Sequence, residues 1–219
     1  MIPLNSSHRI WGLLVIVGGT VITAELLSHP PILDPWHVAG GLNRIAAFHT
    51  WKPLHMVLAL GLAMWLMGLA GCTCLFSRSL HILRVAVSLF VGSLAKWLLI
   101  LSAQIGVLPI LVKRMQVHED YTLTLLGEIT FTSTLIASYA AMTLVWLATI
   151  LVGSYLHETD QSIFFPRWAF WAGWLGIAGI TAILVLPVNV DIVAPLTSAP
   201  SFLWSMVYGW RFACKTTTL

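Results

Sequence analysis

Residues Tyr121 to Leu156 read YTLTLLGEITFTSTLIASYAAMTLVWLATILVGSYL, a run in which Glu128 is the one charged side chain. About 20 apolar residues in a helix cross the ~30 Å hydrocarbon core of a bilayer. A helix is required there because no water is present to satisfy backbone N–H and C=O groups. This run is longer than a perpendicular crossing needs, so it must tilt or project from the membrane. Working outward, four more segments meet the same standard: about Ile10 to Leu27, Pro53 to Phe76, Ile82 to Val112 and Trp168 to Val188. The first stops at His29-Pro30-Pro31, and the second opens with Pro53 in its first turn, where a missing N–H costs nothing. Phe202 to Phe212 is apolar and aromatic but too short to span, and reads as an interfacial or re-entrant helix. The expected fold is an all-α, polytopic transmembrane helical bundle of five spans plus a short C-terminal helix. It forms a single membrane domain over 1–219, with a four-helix bundle at 10–156 and an extra span with the short helix at 157–219.

Composition agrees. The chain has 219 residues, of which 58% are hydrophobic and 9% charged, against about 25% charged in soluble domains. A water-facing surface cannot be assembled from that, which excludes a soluble enzyme, a secreted disulfide scaffold, a nucleic-acid module and a disordered chain. The net charge of +3 implies no polyanionic partner. The partners expected are the lipid bilayer and other membrane subunits or a second copy, in the plasma membrane or an equivalent energy-transducing membrane. Arg9 followed by an apolar run without a small-x-small site reads as a retained first span rather than a cleaved signal. Cys72, Cys74 and Cys214 make no disulfide framework. Lys and Arg divide too evenly between the two sets of loops to fix orientation. Gly61, Gly68 and Gly71, and again Gly173, Gly176 and Gly179, suit close helix contacts, since small residues let backbones approach.

With five spans, five of the eight histidines fall on one face: His29, His37 and His49 in the long first loop, His55 in the opening turn of the second span, and His118 just before the fourth. The second and fourth spans run parallel from this face. Their first turns would place His55 and His118 at similar depth, the arrangement a bis-histidine haem needs with its macrocycle between helices. The same residues also suit an interfacial role beside Trp36 and Trp51. A copper site from Asp34, His37 and His49 has no standard spacing.

An ionisable group inside a span costs at least ~2.5 kcal/mol on insertion scales and marks a candidate functional residue. Lys96 lies in the middle of the third span and Glu128 about two turns into the fourth, which makes them a candidate buried charge pair. Depth along the two helices leaves a gap of two to three turns between them, and Gln104 matches Glu128 better. Tyr121, Thr124, Glu128, Thr132 and Tyr139 fall within an arc of about 80° on a helical projection. With Ser102 and Gln104 they would line a polar pocket or proton path; alternatively, the threonines bond to their own helix carbonyls. Glu25, at the end of the first span on the histidine-rich face, is a second candidate acid.

Over residues 10 to 155 the pattern resembles the haem A synthase family. Gly18-Gly19-Thr20-Val21-Ile22-Thr23 is similar to the family's Gly-Gly pair near the end of its first helix. His55 opens a helix after a long loop, where the family has a haem-ligating histidine. Gln104-Ile105-Gly106-Val107 is similar to the family's Gln and Gly before its second histidine, for which His118 is the nearest match. The family's catalytic glutamate stands three residues before the first histidine; this chain has Lys52 there. The resemblance implies a haem held by His55 and His118 and oxidation of a haem methyl group during respiratory oxidase assembly. Glu25 and Glu128 are the candidate catalytic acids. Two further readings stand beside it: a non-catalytic membrane subunit of a respiratory or monooxygenase complex, and a small transporter or proton-conducting module built around Lys96 and Glu128.

Overall fold

The computed structural model describes residues 5–28, 38–76, 81–117, 121–159 and 163–214. Its elements are α1 (Asn5–Ser28), α2 (Val38–Ala47), α3 (Trp51–Cys74), α4 (His81–Ser102), a π-helical turn (Ala103–Val107), α5 (Leu108–Val117), α6 (Tyr121–Thr159), α7 (Phe164–Val185) and α8 (Val190–Cys214). The all-α membrane bundle expected from the apolar runs is what forms.

The last helix corrects the expected span count. Phe202 to Phe212 is not a short interfacial piece but the second half of α8, which runs 25 residues through Pro195 and Pro200. Proline removes one backbone donor, yet within a bundle neighbouring helices and local adjustments satisfy the freed carbonyls, so it need not end the helix. Among the described residues, six helices are long and apolar enough to cross a membrane. An even number of alternating helices can close on itself with every neighbour antiparallel. That is the arrangement here: α1 packs on α3, α3 on α4, α4 on α6, α6 on α7, α7 on α8, and α8 back on α1. At one end of the ring His8 stacks near Phe212, Phe76 meets Phe212 edge-on, and the Arg211 guanidinium sits 4.3 Å over the Phe165 ring. The start of α1, the end of α3, the start of α7 and the end of α8 therefore share that end.

Two kinds of contact hold the ring. The first is close backbone approach. A Cβ on Gly68 of α3 would stand 2.6 Å from the backbone nitrogen of Val15 on α1, so only glycine fits there. Gly173 and Gly176 of α7 accept Trp146 and Ile150 of α6 in the same way, as the glycine spacing predicts. The second is polar stapling between helices. Trp65 of α3 donates to the Ser205 hydroxyl of α8 at 2.9 Å, and Ser205 donates to the Phe202 carbonyl at 2.6 Å. Ser93 of α4 donates to the Ala141 carbonyl of α6 at 2.8 Å, and Trp204 of α8 to the Phe165 carbonyl of α7 at 3.2 Å.

The rod His81–Val117 and helix α6 are 37 and 39 residues long, about 55 Å or more at 1.5 Å per residue. They extend past the start of α3 at one end of the ring. Trp51, the first residue of α3, donates its indole N–H to the carbonyl of Gln104 at 2.8 Å, so α5 lies wholly beyond the start of α3. The long first loop supplies a helix, α2, that packs on α5 and α6 in this extension. Leu42 and Ile45 of α2 form a separate apolar cluster with Trp51, Leu108, Val112, Phe131 and Leu135.

Candidate functional site

The π turn and His55 have a common local cause. In an α-helix the Gln104 carbonyl would receive the N–H of Leu108, but that N–H goes to Ala103. The next residue is Pro109, which has no N–H to give. The Gln104 carbonyl is thereby left to an outside donor, and Trp51 fills the vacancy. One turn further into α3, the His55 ring donates from Nδ1 to the Trp51 carbonyl at 2.9 Å and lies against the Trp51 indole, centroids 3.9 Å apart. His55 is buried, 2% exposed. A backbone carbonyl on one ring nitrogen is the support that metal-ligating histidines commonly have.

His118 lies outside the described residues. Val117 ends α5 thirteen positions after Gln104. At the helical rise this is about 20 Å beyond the level of Trp51, whereas His55 lies one turn inside it. The expected equal depth of the two helix starts is corrected: Tyr121 opens α6 ten positions before Phe131, which clusters with Trp51 at the start of α3. Of the remaining histidines of that face, His49 is exposed, and His29 and His37, with Asp34, lie outside the described residues. Among the described residues, no three His, Cys, Asp or Glu side chains group as metal ligands.

The Lys96–Glu128 pair also does not form. Lys96 is eight positions inside Gln104, and Glu128 is three positions outside Phe131, which shares a cluster with Trp51. Their separation along the axis is therefore about 16 Å. Lys96 is exposed on the outer side of α4, and Glu128 is half-buried in the extension. Of the expected polar stripe, Tyr121 and Thr124 line an open cavity of about 480 Å³ with Leu42, Asn43, Ala46, Val112, Met115 and Gln116. Glu128 and Thr132 are not part of its wall. Ser102 bonds back to the Leu98 carbonyl, and Thr130 and Thr134, which lie outside that stripe, bond to carbonyls of their own helix.

Glu25 is buried at 2% exposure, and neither carboxyl oxygen has a hydrogen-bond partner among the described residues. It is the last member of the α1 stripe Trp11, Val15, Gly18, Ile22, Glu25, whose earlier members lie against Gly71, Gly68 and Gly61 of α3. Sequence reasoning passed over three features. Helix α2 was legible in the i, i+4, i+7 spacing of Val38, Leu42 and Ile45. The inward row Ser201, Ser205 and Tyr208 on α8 has the same spacing. The role of Trp51 followed from Pro109 but needed the fold to reveal its acceptor. Comparisons with protein families, with curated proteins and with solved structures give no match.

Proposed function

We propose that this protein is a non-catalytic membrane subunit, held in a larger assembly through the outer face of α4. One observation carries the reading: Lys96 is exposed on that face, well inside the span, with no ion-pair partner among the described residues. A lysine facing lipid at such depth costs at least ~2.5 kcal/mol. Reaching water along its own stem is the usual relief. That relief is poor here. Gln104, level with the start of α3, is about 12 Å away, but side chains lean toward the helix N-terminus. For Lys96 that is the direction of His81, fifteen positions and about 22 Å off. Val85 and Leu99, at helical spacing from Lys96, are 49% and 74% exposed, giving an apolar surface with one cation at its centre.

The occupant that satisfies this surface is a transmembrane helix of another protein carrying a carboxylate at matching depth. A second copy does not supply one among the described residues. Glu25 is buried, Glu128 lies in the extension, and Glu158 and Asp191 stand at helix ends. The test is a photo-reactive amino acid in place of Leu99, activated in native membranes and followed by mass mapping of the product. The proposal expects a cross-link to a transmembrane segment of a different chain that contains an Asp or Glu. Cross-links confined to lipid, or to another copy of this chain, would overturn it.

A further inference from the structure

We infer that Glu25 is a proton-binding site, filled as the neutral acid and reached from the membrane face where α1 ends. Its position follows from the α1 seam. Trp11, Val15, Gly18, Ile22 and Glu25 alternate steps of four and three, the spacing that keeps one helix stripe against a neighbour. Val15 lies beside Gly68 and Ile22 beside Gly61, and that antiparallel register carries on to set the half-buried Leu58 opposite Glu25. A carboxyl group thus occupies the place in the seam where the pattern calls for an apolar side chain.

No described counter-charge meets it. On α3, Lys52 is exposed, and His55 directs its Nδ1 to the Trp51 carbonyl on the side toward the π turn. On α8, the charged group of this end is Asp191, exposed in the first turn and of the same sign. On α1 itself no charged residue lies between Arg9 and Glu25. An ionised carboxylate without partner or hydrogen bond is far costlier to bury than a neutral acid, so the group takes up a proton. Glu25 is three residues from the end of α1 at Ser28, which makes that face the shorter route for the proton. Losing the proton leaves a bare charge between α1 and α3, and the seam must then open to water or the proton must be held.

Infrared spectroscopy of the whole protein in lipid nanodiscs tests this, with glutamate carboxyl groups carrying ¹³C. A protonated carboxylic acid has a carbonyl stretch distinct from the two carboxylate bands. At neutral pH the wild type is expected to show an isotope-shifted acid band that is lost in Glu25→Gln. In Glu25→Asp the isotope shift is expected to vanish while an unlabelled acid band replaces it, so the assignment does not depend on one variant folding. The acid band should decline reversibly as pH is raised. Carboxylate bands at neutral pH that disappear in Glu25→Gln, with no acid band in the wild type, would overturn the inference.

Discussion

The indole nitrogen of Trp51 donates to the backbone carbonyl of Gln104 at 2.8 Å, across 53 residues of chain. This bond ties the start of α3 to the π turn, and it sets where the membrane ring ends and the extension of α5, α6 and α2 begins. Its origin is Pro109, which leaves that carbonyl without a donor from its own helix.

Trp51→Phe is therefore expected to destabilise the protein by about 1–3 kcal/mol, because a buried carbonyl loses its donor. Pro109→Ala restores an N–H to the rod. The double variant should be less destabilised than the sum of the two single changes, and denaturation in detergent measures the coupling. Additive effects would show that the two residues act independently.

Ser205 is the acceptor for Trp65 between α3 and α8. Ser205→Ala leaves a buried indole N–H unpaired, for an expected loss of about 1–3 kcal/mol. Ser88→Ala is the control: that hydroxyl is exposed and bonds to the Arg84 carbonyl of its own helix. Thermal unfolding of the two variants should differ in the same direction.

Gly68→Ala puts a methyl group 2.6 Å from the Val15 backbone nitrogen. Backbone cannot swing aside as a side-chain end does, so α1 must move off α3. The expected loss is about 1–3 kcal/mol, as for other overpacked sites. Gly106→Ala is expected to show no such clash, since nothing lies within 4 Å of the corresponding position.

The five longest apolar runs were legible because bilayer thickness imposes a length that few other structures share. The sixth was not. Phe202 to Phe212 taken alone is too short to span, and only packing between α7 and α1 shows that the helix runs back through Pro200 and Pro195. The length of the third and fourth long helices calls for tilt or projection, but length alone does not set the depth at which they start. The starts of α3 and α6 look level when counted along the chain. Trp51 against Gln104 shows that one start lies far outside the other. Lys96 and Glu128 were readable as unusual charges, yet which side of the helix Lys96 takes depends on packing that no single segment encodes. Glu25 was visible as an acid near a span end, while its burial in the α1 seam required the register with α3.

Lys96 provides the most direct test of the proposed role as an assembly subunit. Lys96→Leu, Lys96→Arg and the wild type are compared in two measurements: the mass of the assembly released from native membranes in mild detergent, and the unfolding stability of the isolated chain. Removing a lipid-facing charge should leave the isolated chain as stable or more stable by about 2–3 kcal/mol. The same change should collapse the assembly to the 24.1 kDa chain, with Lys96→Arg retaining it. An unchanged assembly in Lys96→Leu, or a wild type that leaves the membrane only as the lone chain, would contradict the account.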